Sequence, residues 1–164
     1  MPIIGYIPYC GKDMKMNRRT AREITLSLVF EYSFNTDVMP EELLKLYLNY
    51  NDFEPGVTVK DVQKDKYITS TYAGVVEKLS EIDPLIAEAS HNWHFDRISR
   101  VAQAILRLAA YEILYIDDIP PKVSVNEAVE LAKKYDEEKS YTFINGILGN
   151  IIRKVNSEKA EAQE

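Results

Sequence analysis

Cysteine is almost missing from this chain. The single Cys10 excludes an internal disulfide framework and fits a reducing compartment such as a bacterial cytoplasm. Histidine is as scarce, with only His91 and His94. Their spacing could set two imidazoles on one helical face, but a metal site needs a further ligand in an ordered frame and none suggests itself, so no metal is expected. Glycine is sparse too, six in 164 residues, and none falls in a phosphate-cradling or dinucleotide-binding pattern. There is no Cys-x-x-Cys, and nothing points to a histidine and an acid converging on a serine. Neither an enzyme nor a cofactor is therefore expected. No apolar run approaches the ~20 residues needed to span a bilayer, so no membrane segment is expected. The opening MPIIGYIPYCG lacks a charged leading segment and a long apolar core, which argues against a signal peptide. Cys10 within it reads as incidental rather than as a nucleophile. What remains is an ordinary globular composition, 46% apolar and 28% charged.

Strand signals are poor, whereas helical periodicity recurs along the chain. In 18–34, Ala21, Ile24, Leu28 and Tyr32 form one stripe and Leu26, Val29 and Phe30 another, so this helix is expected to be packed from several sides. DVMPEELLKLYLNY follows, with Pro40 suited to a first helical position and Glu41 and Glu42 in the first turn. Residues 61–80 read as a further helix, and IDPLIAEASH as a separate short one capped by Asp83. The segment 96–116 is the most strongly apolar, leaving only a narrow polar strip through Arg100, Gln103 and Arg107. After Pro120 and Pro121, Ser124 and Glu127 are spaced as a capping box, and Glu130 with Lys134 is a favourable charge order. A last helix capped by Ser140 carries Ile144, Ile147, Leu148, Ile151 and Val155. The expectation is all-α: about seven helices joined by short loops. They form one domain over 15–156, after an irregular N-terminal extension 1–14 and before a polar, frayed tail 157–164.

Charge is distributed unevenly. The net charge of −6 argues against a protein that coats nucleic acid indiscriminately. Yet residues 12–22 hold Lys12, Lys15, Arg18, Arg19 and Arg22 against one acid, Asp13, making that segment +4 and the remainder −10. A helix start carries about half a positive charge, and cations there are disfavoured by ~0.3–1 kcal/mol each. Arginines at that place make sense if a polyanion fills the site. The alternative is a solvated patch, or ion pairs with Asp13, Glu23 and the acidic surface. Phe143, just off the apolar stripe of the last helix, either closes the end of the bundle or stacks on an unpaired base. Trp93, at a helix break, leaves the same two options open. Gly146 and Gly149 each weaken the last helix, which close approach of a neighbouring helix would justify.

Four segments then appear in order: RRTAREITLSLVFEYSF, NWHFDRISRVAQAILRLAAYEILY, DIPPKVSVNEAVELAKKY and SYTFINGILGNI. Together they closely resemble the NusB family of bacterial transcription antitermination factors, over about residues 16–155. The resemblance implies two small helical subdomains packed across each other. It implies binding of the boxA element of ribosomal RNA leader transcripts, a heterodimer with NusE (a small-subunit ribosomal protein), and action with other Nus factors on elongating RNA polymerase. The family's arginine-rich start falls on Arg18, Arg19 and Arg22, implying phosphate contacts, and its stacking aromatic on Phe143. Lys122 matches a lysine usual after the double proline. Lys15 and Lys139 are further RNA candidates. Asn126 and Asn145 match motif positions and are expected to make buried hydrogen bonds. Gln103 marks the expected partner face. The extension is longer than usual in the family, Thr20 interrupts the basic cluster, and Lys139 stands where members often carry an acid. The same domain also occurs fused to RNA cytosine methyltransferases, but this chain has no room for their catalytic domain. The competing class is a protein-interaction adaptor without RNA specificity, its arginines meeting an acidic partner.

Overall fold

The computed structural model describes residues 16–91 and 94–163. Within them are seven α-helices and no strand: α1 Arg18–Tyr32, α2 Pro40–Tyr50, α3 Val59–Lys64, α4 Lys66–Ala89, α5 Arg100–Tyr115, α6 Pro121–Tyr135 and α7 Ser140–Glu161. A single 3-10 turn, Phe95–Arg97, precedes α5. The expected all-α class is what the chain adopts. The extension 1–14, Lys15, and Asn92 with Trp93 lie outside the described residues.

The apolar stripe of α5 explains its place. Ala102, Ala104, Ile105, Leu106 and Ala110 are fully buried. The alanines let neighbours approach closely, and α5 packs against α1, α4, α6 and α7. The N-terminal helices gather on α4, through α1–α4 and α3–α4 contacts, with α2 lying on α1. The C-terminal helices α5, α6 and α7 pack on one another, and the α4–α5 contact joins the two groups around one continuous core. Each large aliphatic side chain so buried contributes about 1.5–3 kcal/mol.

Several boundaries differ from those the sequence suggests, each for a local reason. The helix expected over 61–80 divides at Asp65, whose carboxylate caps α4 by accepting from the Ile68 N–H. Helix α4 then runs unbroken through Pro84. Ile82 and Ile86, on either side of the proline, are both fully buried, and their packing carries the helix past the missing donor. Asp83 does not cap: Arg107 holds its carboxylate in a two-pronged pair at 2.8 and 2.7 Å. Helix α6 begins at Pro121, which needs no donor at a first helical position. That leaves Ser124 inside the helix, so the expected capping box does not form. Ser140 likewise lies within α7, whose N-cap position is Lys139 with no side-chain cap. Lys134 reaches Glu23 rather than Glu130, which pairs with Lys133. The tail stays helical as far as Glu161.

Candidate nucleic-acid interface

The front of α1 is built on Asn17, whose side chain accepts from the Thr20 N–H at 2.9 Å and starts the helix. No acid occupies the first turn. The three arginines that follow have separate fates. Arg22 is buried, and its Nε donates to Glu112 Oε1 at 2.8 Å, with Glu127 Oε2 at 3.9 Å from Nη1. The expected phosphate contact at Arg22 is therefore corrected. Its guanidinium is spent inside the fold, on a carboxylate 90 positions away. Of the pairs anticipated, Glu23 takes Lys134 and Tyr135 instead, and Asp13 lies outside the described residues.

Glu112 sits in the middle of the apolar face of α5 and is itself 1% exposed. Besides Arg22 it accepts from the Tyr67 hydroxyl on α4 and, at 2.6 Å, from Ser124 Oγ on α6. One carboxylate thus ties four helices. A buried charge is tolerated only when paired and fully hydrogen-bonded, and here that condition is met. Burial, and next the Glu112 charge, push the Tyr67 hydroxyl far above the ordinary tyrosine range.

Above this network lie the other two arginines, both on the surface. The Arg18 guanidinium is 4.5 Å from the centre of the Tyr67 ring. Arg19 reaches Glu127 at 3.2 Å while 64% of its side chain stays open to solvent. That bond to Glu127 raises the Arg19 pKa and makes its charge more secure. The result is a pair of cations shelved on a buried polar lattice, at a helix start where free N–H groups also favour an anion.

The remaining candidates divide between the two ends of α6. Lys122 is exposed in its first turn, five residues before Glu127 and so about 7.5 Å along the axis. Lys139 is exposed where α7 starts, and Phe143 is half-buried one turn into α7, packed against the core. Near them Tyr141 is exposed, with Lys133 Nζ 5.3 Å from its ring centre. Two expectations fail here. Asn126 and Asn145 are exposed rather than buried. No helix closes on the glycines either: a Cβ at Gly146 would meet nothing within 4 Å, and one at Gly149 only Arg153 Nη1, at 3.7 Å.

Gln103 is also corrected. It is buried, and its amide donates to the carbonyls of Phe95 and Ile98 at 3.0 and 3.1 Å, fastening the 3-10 turn to α5. The surface beside it is different in kind. Phe34 is 55% exposed, edge-on to Phe30, and Arg100 stands 5.6 Å from its ring centre. Tyr67, Glu112 and Glu127 were not foreseen in these roles. The available signal was an acid at 112 inside the apolar stripe of one helix and a base at 22 in line with Thr25 and Val29 on another. No group of three or more metal-ligating side chains occurs among the described residues.

The NusB family model matches residues 19–153. A transcription antitermination protein NusB of Natranaerobius thermophilus is 43% identical over 148 residues, covering 86% of this chain and 98% of that one. The solved NusB of T. maritima superposes with a TM-score of 0.72 at 34% identity, covering 86% of this chain and 94% of that one. A crystallised complex of the antitermination factors NusB and NusE with double-stranded RNA contains the same fold, at a TM-score of 0.66 and 24% identity, covering 84% of this chain and 96% of that one.

Proposed function

Because this chain belongs to the NusB family, we propose that it is a non-catalytic RNA-binding antitermination factor of the bacterial cytoplasm. It binds single-stranded boxA-type RNA of ribosomal RNA leader transcripts together with NusE, and the complex acts with other Nus factors on elongating RNA polymerase. The observation that carries the RNA part is the front of α1. Two exposed guanidiniums, Arg18 and Arg19, stand at a helix start with no acid in its first turn, in a chain whose net charge is −6. Lys122, Lys139 and Phe143 extend the surface toward α7, with Lys15 preceding it in the sequence. For NusE, the exposed Phe34 and Arg100 supply the partner face in place of Gln103. No helix among the described residues is long and apolar enough to cross a membrane.

The test is a titration of labelled boxA-like and scrambled single strands, with and without the organism's own small-subunit ribosomal partner. The proposal expects tighter binding of the boxA-like strand, enhanced by the partner. Equal affinity for both strands under both conditions would leave a protein-interaction adaptor without RNA specificity.

A further inference from the structure

Gly146 weakens the interior of α7 relative to alanine, yet nothing in the fold asks for it. Its position is exposed, and a Cβ there would meet nothing within 4 Å. Gly149, one turn on, would meet only the flexible end of Arg153, at an ordinary contact distance of 3.7 Å. Gly74 on α4 shows what a required glycine looks like: a Cβ there would overlap the Tyr111 hydroxyl and ring. The bare backbone of α7 thus faces outward. Bare backbone on an outward face admits an external group closer than a side chain would allow.

The surroundings indicate what that is. Phe143 is three residues before Gly146 and so its neighbour on the helix surface. Arg153, four residues past Gly149, hydrogen-bonds the Asn150 side chain and has no acid partner among the described residues. From 140 to 157 the chain contains no Asp or Glu, in a protein with 26 of them. An aromatic, a bare stretch of backbone and a guanidinium with no acid partner among the described residues therefore follow one another along about 15 Å of a helical segment that itself carries no Asp or Glu.

We propose that the outward face of α7, from Phe143 across Gly146 and Gly149 to Arg153, is a track for the sugar–phosphate backbone of the bound single-stranded RNA. The inference rests on the RNA function proposed above and extends that site onto the C-terminal half of the molecule.

Gly146→Ala separates binding from folding, because the two effects have opposite signs. The variant should melt at a higher temperature than the parent. It should also bind a fluorescein-labelled boxA-like single strand about tenfold more weakly. Arg153→Gln should weaken binding and flatten the slope of log K against log salt by about 0.7. If Gly146→Ala melts higher and Arg153→Gln folds normally, yet both bind RNA as the parent does, the track is wrong. If in the same assay Arg18→Glu with Arg19→Glu loses binding, the RNA function itself survives. Absence of RNA binding by the parent would sink both. A Gly146→Ala variant that loses only the ribosomal partner assigns this face to protein and overturns the track. One that melts lower returns the glycine to the fold, with the same consequence.

Discussion

At the scale of single residues, Glu112 decides the arrangement. It receives Arg22, Tyr67 and Ser124 together, so removing it leaves the buried Arg22 guanidinium with only the more distant Glu127, at 3.9 Å. Glu112→Ala is expected to destabilise the fold by about 3–5 kcal/mol, read from urea unfolding. Tyr67 gives the pH dependence. Its hydroxyl is held protonated in the fold by burial and Glu112, whereas in the unfolded chain it ionises near pH ~10. The unfolded state therefore loses its proton first. This contribution to stability is complete below pH about 10 and is lost as the pH rises further. Tyr115 and Tyr135, each pushed up to about 12, act in the same direction, the first chiefly through its hydrogen bond to Glu81 and the second chiefly through burial. The urea midpoint should stay level from pH 7 to 9 and fall above about pH 10, and Tyr67→Phe should fall less steeply. None of this was legible from the local sequence around Arg22. Charge composition sees three similar arginines, and only contacts 90 positions away set one of them apart.

At the scale of helices, periodicity located the elements and missed the places where local chemistry competes with packing. Ser124 and Glu127 have the spacing of a cap, but Pro121 begins the helix earlier and both side chains turn to partners on other helices. Pro84 reads as a start and is instead carried through by Ile82 and Ile86. Such outcomes depend on which neighbour arrives, and a single helix does not encode that. Gly74 offers a stability test of the α4–α5 contact. Gly74→Ala should improve helix propensity yet lower stability by about 1–3 kcal/mol, because the Tyr111 ring must leave its place. The urea midpoint measures it, and removing the ring with Tyr111→Ala should relieve most of the overlap. A rise in stability for the single variant would show that the ring is not held there.

At the scale of the molecule, the charge asymmetry in the sequence acquires a structural meaning. The three arginines of the +4 segment do not become one basic patch. Arg22 is drawn inward as a tie between helices, and Arg18 and Arg19 remain outside, held by Tyr67 and Glu127. The all-α class and the family were legible because the apolar stripes and the Pro-Pro and Phe-Ile-Asn-Gly segments are local. The proposed partner face was not, since Gln103 and Arg100 share a polar strip but of the two only Arg100 reaches the surface. The most direct test compares the parent with an Arg18→Glu, Arg19→Glu pair, titrating boxA-like single-stranded RNA across a salt series. The parent should show a slope of log K against log salt of about −2 to −3, for three to four phosphate contacts. The pair should lose at least about tenfold in affinity at an unchanged melting temperature. Undiminished binding by the pair, with the same salt slope, would contradict the assignment of this helix front to RNA.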